Sequence, residues 1–136
     1  MLYPIAIALG DEKHAHGVFV PDIPGCFSAA DEFQDVYANA IEAITGHIEL
    51  LVEDGEEIPQ PSDIRTLQEN PEYEGMIWGV VDVDLSHLLG KSEKINITLP
   101  SRLIRRIDAF VAEYPQYKSR SGFLAKVATD RIFATT

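Results

Sequence analysis

Short apolar runs separated by polar turns open the chain, and this is the pattern of a small antiparallel sheet. The runs cover residues 3–9, 17–20 and 26–30, and each has the length of a single strand. The segment Pro21-Asp22-Ile23-Pro24-Gly25 must be a tight connection, because each proline fixes φ and removes a backbone donor. This part of the chain is therefore predicted to be a three-stranded meander.

A long amphipathic helix is predicted next. Between Phe33 and Val52 the apolar residues recur at intervals of three and four, which places them on one face of a helix. Asp31 is expected to be the N-cap, with Gln34 completing a capping box. Gly55 stands where a C′ glycine would end the helix.

A fourth strand is expected to return to the sheet. Residues 55–75 contain three prolines and are predicted to be mostly connection, with one short helical turn capped by Ser62. Residues 76–85 then form an apolar run that ends in alternation. The order β-β-β-α-β predicts an α+β fold with one helix on one face of the sheet.

The pattern changes beyond residue 90. Residues 94–99 alternate polar and apolar side chains, as a strand with one apolar face does. A helical stripe follows over residues 103–114 and is expected to end at Pro115, and Ser119 is expected to cap a second helix. The predicted organisation is a domain at residues 1–86, a linker at 87–93 and a second domain at 94–136.

The strand of the second domain has no partner in its own chain. About 40 residues are too few to bury its apolar face, and a lone strand leaves backbone groups unpaired. Both difficulties disappear if two copies pair their strands antiparallel and interlock their helices. We therefore expect a homodimer whose two-stranded ribbon has a shape that the DNA major groove admits.

Charge divides the chain in the same way. The net charge is −11, but residues 1–90 hold two basic and eighteen acidic residues, whereas residues 91–136 hold nine basic and four acidic residues. The net charges of −16 and +5 indicate different partners: a basic surface attracts phosphate, and an acidic one attracts a basic protein. The chain has one cysteine, Cys26, and shows neither a signal-peptide pattern nor a long apolar run. We therefore expect a cytoplasmic protein with no membrane partner.

Two segments of the second domain resemble the ribbon-helix-helix repressors. They are Lys94-Ile95-Asn96-Ile97-Thr98-Leu99-Pro100 and Ser119-Arg120-Ser121-Gly122-Phe123-Leu124. The resemblance implies that the polar strand residues contact bases and that the start of the second helix contacts phosphate, since free backbone N–H groups there hold anions. The implied base contacts are Lys94, Asn96 and Thr98, and the implied phosphate contacts are Ser119, Arg120 and Ser121.

The first domain resembles the N-terminal domain of HicB antitoxins, through Phe19-Val20-Pro21-Asp22-Ile23-Pro24-Gly25-Cys26 and the helix that follows Asp31. With the ribbon-helix-helix segment, the resemblance covers nearly the whole chain. It implies a partial RNase H-like fold, and an antitoxin that covers a small basic, RNA-cleaving HicA-type toxin. It also implies that the dimer binds operator DNA and represses its own operon. The toxin contacts are expected at exposed acids of the long helix: Glu42, Glu49 and Glu53.

Two other functions stay open, of which the second is disfavoured. One is a stand-alone transcription regulator whose N-terminal domain binds a small ligand. The other is a metal-dependent nuclease, but such sites need an acid in the first strand, and residues 3–9 contain none. Asp82 and Asp84 are expected on one strand face, but the first strand supplies no acid beside them, and His14 and His16 lack further ligands. We therefore expect no catalytic set, no metal site and no cofactor; assembly beyond a dimer is left open.

Overall fold

The computed structural model describes residues 1–133, so the last three residues of the predicted second domain lie outside it. The chain divides into two compact units, of which the N-terminal unit is Met1–Val83 and the C-terminal unit begins at Asp84. This division falls close to the predicted domain end at residue 86. The role of each unit remains a prediction at this point.

The N-terminal unit is built on a four-stranded antiparallel sheet with the order β3-β2-β1-β4. Its strands are β1 (Leu2–Ala8), β2 (His16–Phe19), β3 (Phe27–Ala30) and β4 (Ile77–Asp82). The predicted α+β class and the return of a fourth strand are confirmed. Strand β1 is central, because β2 and β4 pair with its two edges.

The predicted fourth strand was too long at its C-terminal end. Strand β4 stops at Asp82, whose carboxylate lies 3.0 Å from the α-amino group of Met1. Asp84 lies beyond the strand, and its carboxylate accepts hydrogen bonds from the N–H and the hydroxyl of Ser86. The prediction that Asp82 and Asp84 share one strand face is therefore wrong, because this local turn bonding ends the strand.

Helix α1 (Val36–Glu53) covers one face of the sheet. Its buried residues recur at every fourth position. They pack against every second side chain of β1 and β2, because alternate residues of a strand point to the same face of the sheet. The buried helix residues are Val36, Ala40, Ile44 and Ile48, and the buried strand residues include Tyr3, Ile5, Ile7 and Val18.

The predicted start of α1 was wrong and its predicted end is confirmed. Residues 33–35 form a 3₁₀ turn, so the helix begins at Val36 and the Asp31 capping box does not form. At the other end Gly55 has φ of 73°, and its N–H donates to the carbonyl of Val52. The N–H of Glu56 donates to the carbonyl of Leu51, which completes a Schellman motif.

The segment after α1 is tied back to the sheet by side-chain hydrogen bonds. Ser62 donates its N–H and its hydroxyl to the carboxylate of Asp22, and Asp63 rather than Ser62 caps the short helix α2 (Ile64–Gln68). The hydroxyl of Tyr3 donates to the carbonyl of Pro59 at 2.7 Å. Burial, with a smaller contribution from Asp22, raises the pKa of this hydroxyl, so it stays protonated as a donor.

The C-terminal unit contains helices α3 (Ser101–Glu113) and α4 (Arg120–Phe133), joined by a 3₁₀ turn at Pro115–Tyr117. The predicted Ser119 cap is confirmed, because its hydroxyl oxygen accepts a hydrogen bond from the N–H of Gly122 at 3.1 Å. Four aromatic rings hold the helices at this turn, with centroid separations from 4.5 to 5.6 Å. They belong to Phe110, Tyr114, Tyr117 and Phe123.

Residues 94–99 form neither a strand nor a helix in the single chain. Ile95 is 74% exposed and Ile97 is 57% exposed. A β-strand requires a partner for its backbone groups, and this segment pairs with no strand in the described part of the chain. The single chain thus lacks the predicted strand, and its pairing with a second copy stays a prediction.

Replacing Tyr3 with Phe should lower the free energy of unfolding of the N-terminal unit by about 1 kcal/mol, because the carbonyl of Pro59 loses a partly buried donor. Urea unfolding followed by the fluorescence of Trp78, the single tryptophan, measures this unit. Tyr73→Phe is the control and should change the value little. Equal effects of the two changes would contradict the role given to the Tyr3 hydroxyl.

Candidate interaction surfaces

The outer side of α1 is an acidic surface. Glu42, Glu49 and Glu53 are exposed and project away from the buried stripe of the helix, so the structure brings the three predicted toxin-contact residues onto one side. Asp54, Glu56 and Glu57 follow directly and are also exposed. The arrangement provides carboxylates that are free to meet a basic partner.

A groove of about 550 Å³ runs between α1 and the edge strand β3. The amide of Asn39 donates to the carbonyl of Ala29 at 2.9 Å and fixes the helix against that strand. Of the three predicted acids only Glu42 lines the groove. The lining is formed by Ser28, Asn39, Glu42, Ala43, Gly46, His47 and Leu50. Sequence reasoning missed this groove, although a glycine inside a helix was its available signal.

The implied base-contacting residues lie in the exposed segment before α3. Lys94, Asn96 and Thr98 are exposed and alternate with Ile95 and Ile97. The alternation would place the three polar side chains on one face if the segment were paired as a strand.

The implied phosphate contacts lie at the start of α4, where Ser119, Arg120 and Ser121 are all exposed. Arg120 is already engaged, since its guanidinium makes two hydrogen bonds to the carboxylate of Asp108, at 3.0 and 2.7 Å. The hydrogen bond to Arg120 lowers the pKa of Asp108, and Asp108 raises the pKa of Arg120. Asp108 was missed by sequence reasoning, because only the packing of α3 on α4 brings it to this position.

The two helices of the C-terminal unit also expose large apolar side chains. Exposed apolar side chains on a unit of this size are typical of surfaces that other proteins cover. The exposed residues are Leu103, Phe110, Tyr114, Val127 and Ile132.

The histidines near the first turn have local partners. His14 lies 2.9 Å from the carboxylate of Asp11, and the ring of His16 accepts a hydrogen bond from the N–H of Gly10 at 2.9 Å. Among the described residues, no group of three or more His, Cys, Asp or Glu side chains is placed to hold a metal ion. In the same part of the chain, no helix has the length and apolar character needed to cross a membrane.

This chain is similar to several known proteins. The family model of HicB-like antitoxins of bacterial toxin–antitoxin systems matches residues 3–128. The uncharacterized 14.9 kDa protein from the rep-hol intergenic region of Haemophilus phage HP1 (strain HP1c1) is 51% identical over 134 residues, 98% of this chain and 99% of the phage protein.

The crystal structure of the Burkholderia pseudomallei antitoxin HicB has 43% identity and a TM-score of 0.65, covering 94% of this chain and 96% of that one. A chain of a HicA3 and HicB3 toxin–antitoxin complex has 39% identity and a TM-score of 0.53, covering 62% of this chain and 99% of that one.

The start of α4 provides a test of the C-terminal unit. A Cβ atom at Gly122 would lie 2.1 Å from the carbonyl oxygen of Tyr117, so Gly122→Ala must displace backbone and should destabilise this unit by about 1–3 kcal/mol. Thermal unfolding followed by circular dichroism measures the loss. Gly46→Ala is the matched control, because a Cβ there meets nothing within 4 Å, and it should stabilise α1 by up to about 1 kcal/mol. An unchanged C-terminal unit in Gly122→Ala would show that this contact does not determine the start of the helix.

Proposed function

Because this chain belongs to the HicB-like antitoxin family of bacterial toxin–antitoxin systems, we propose that it neutralises a HicA-type toxin with its N-terminal unit and binds operator DNA with its C-terminal unit. The observation that carries the proposal is the separation of charge, −16 over residues 1–90 and +5 over residues 91–136. One unit is suited to a basic protein and the other to phosphate.

Neutralisation is proposed to occur by coverage of the toxin. The N-terminal unit is assigned a partial RNase H-like fold that acts as a binding scaffold, with no chemistry of its own. Glu42, Glu49 and Glu53 attract the basic toxin and orient it on α1, and the adjacent groove beside β3 accommodates a projecting side chain of the toxin. Complementary charge raises the association rate and sets the orientation of the partner. The toxin complex of a structural relative supports a toxin as the partner.

Operator binding is proposed to require two copies. Residues 94–99 pair antiparallel with the same segment of a second copy, which buries Ile95 and Ile97 against the exposed apolar residues of α3 and α4. The result is a ribbon-helix-helix dimer in which Lys94, Asn96 and Thr98 face the major groove. The exposure of both isoleucines in the single chain supports this assignment, since water contact with such side chains is unfavourable.

The start of α4 is proposed to hold a backbone phosphate through N–H groups near Ser119 and Ser121. Arg120 contributes less to phosphate binding than the sequence predicted, because its guanidinium is already bound to the carboxylate of Asp108. By occupying the operator in the cytoplasm, the dimer represses the operon that encodes it and its toxin.

The groove between α1 and β3 supports a second candidate function, a stand-alone regulator that binds a small ligand there. The two candidates differ in one observation. An antitoxin rescues cells that express its toxin, whereas a stand-alone regulator binds its operator without any such rescue.

Replacing Glu42, Glu49 and Glu53 together with Gln should weaken toxin binding about tenfold, mostly through slower association, because three attracting charges are lost at constant shape. Stopped-flow association at low and high salt measures the effect. The matched control replaces Glu69, Glu72 and Glu74, which are equally charged and exposed in the same unit. Equal losses in both triple variants would show that net charge matters and that the surface of α1 is not the contact.

Replacing Asn96 with Ala should weaken operator binding by about 1–3 kcal/mol and leave rescue from the toxin intact, because one base contact is removed. Fluorescence anisotropy with DNA from upstream of the gene measures the affinity. Gln116→Ala removes an exposed amide of the same unit outside the proposed ribbon and serves as control. Unchanged operator affinity in Asn96→Ala would refute the base contact.

A further inference from the structure

One acidic residue of the C-terminal unit lies against a proposed phosphate contact. Residues 91–136 carry nine basic and four acidic residues. The carboxylate of one of these acids, Asp108 on α3, accepts two hydrogen bonds from the guanidinium of Arg120, from Nε at 3.0 Å and from Nη2 at 2.7 Å. This pairing lowers the pKa of Asp108, so the carboxylate is charged at neutral pH. A negative charge is thus held where the unit is proposed to meet the DNA backbone.

The packing of α3 on α4 depends little on this ion pair. Both side chains are 49% exposed, and ion pairs with such exposure contribute little to folding because water screens them. The rings of Phe110, Tyr117 and Phe123 already hold the helices at the same turn, with centroids 5.3 to 5.6 Å apart. A role beyond the fold therefore accounts better for a carboxylate at this position.

The carboxylate and a phosphate compete for the same edge of the guanidinium. Both kinds of anion bind an arginine through two parallel hydrogen bonds, and Asp108 already occupies the edge that carries Nε and Nη2. The pair has no net charge, so it attracts a distant phosphate less than a free arginine does. Because the guanidinium of Arg120 is half exposed, a phosphate that comes close can displace the carboxylate without a change of fold.

The first turn of α4 determines where such a phosphate would lie. The N–H of Gly122 already donates to the hydroxyl of Ser119. The proposed phosphate is therefore left with the N–H groups that precede it, on Arg120 and Ser121. A phosphate bound there lies at the residue whose side chain Asp108 holds, so close docking of this turn on DNA brings the two anions into competition.

We propose that Asp108 is a specificity-determining residue, which keeps Arg120 away from DNA phosphates until the ribbon is seated in its operator. This role rests on the operator binding proposed above. On other DNA the ribbon lacks its base contacts, the start of α4 stays farther from the backbone, and Arg120 remains on Asp108. On the operator the base contacts hold the start of α4 against a phosphate, and Arg120 exchanges the carboxylate for it. A phosphate contact, which carries no sequence information by itself, is thereby restricted to the correct site.

The salt dependence of DNA binding tests the exchange. Each phosphate that a basic residue neutralises steepens the slope of log K against log salt by about 0.9, so two copies of Arg120 in a dimer change it by about 2. The affinity of the full-length chain is measured by fluorescence anisotropy between about 50 and 200 mM salt. The two DNA probes are a duplex from upstream of the gene and a scrambled duplex of equal length.

Asp108→Asn removes the negative charge and keeps the shape of the side chain. It should steepen the slope on the scrambled duplex by about 2, leave the slope on the operator duplex unchanged and reduce the preference for the operator roughly tenfold. Arg120→Gln should act in the opposite way, because it removes a contact made only on the operator. It should flatten the slope on the operator duplex by about 2 and leave the slope on the scrambled duplex unchanged.

Two further variants separate the exchange from a general effect of charge. Glu113→Gln is the matched control, because it removes the same charge from an exposed position on α3, and it should leave the difference between the two slopes as in the wild type. Asp108→Asn combined with Arg120→Gln should have the wild-type slope on the scrambled duplex, because Asp108 acts through Arg120. Circular dichroism checks that each variant keeps its helices.

Two outcomes overturn the role of Asp108 while the proposed operator binding stands. One is that Asp108→Asn and Glu113→Gln have the same effect on the two slopes. The other is that Asp108→Asn binds both duplexes more weakly, which would make Asp108 a support that positions Arg120 on the phosphate. Equal binding of both duplexes by the wild type instead overturns the proposed operator binding, and the role of Asp108 with it.

Discussion

A single helix can cover only one face of a four-stranded sheet, and the N-terminal unit is organised around this constraint. Helix α1 places Val36, Ala40, Ile44 and Ile48 over the buried side chains of the central strand β1. The core is therefore formed on one side of the sheet, where water is excluded from both the helix stripe and the strand residues. The outer side of the helix remains available for charge, and the far side of the sheet exposes the apolar side chains of Leu2, Phe27 and Val80.

The C-terminal unit is incomplete for a related reason. Two helices joined by a short turn bury an aromatic cluster at the turn, but they leave Ile95, Ile97 and several helical residues exposed. A unit of this size cannot enclose all its apolar surface within one chain. The apolar surface that the C-terminal unit leaves exposed is the surface that the proposed dimer would bury. The charge of each unit then determines which other partners it attracts, and the two charges are opposite.

The sequence was informative where structure depends on local chemistry. Four strands, the long helix, the Gly55 end of α1 and the Ser119 cap all follow from periodicity and from residues with strong conformational preferences. The start of α1 was predicted wrongly, because a 3₁₀ turn at residues 33–35 precedes the helix and contains Gln34. Features that depend on packing between distant segments were missed: the groove between α1 and β3, and the Arg120–Asp108 pair. Residues 94–99 were predicted as a strand, but they form none in the single chain, and the strand is proposed to form only between two copies.

The central claim is that the two units bind two different partners. Hydrogen–deuterium exchange of the full-length chain tests it most directly, with toxin and operator DNA added in separate experiments. The account predicts that the toxin slows exchange in α1 and the segment after it, whereas operator DNA slows exchange in residues 94–99 and at the start of α4. Protection of the same unit by both partners, or toxin protection confined to the C-terminal unit, would contradict the account.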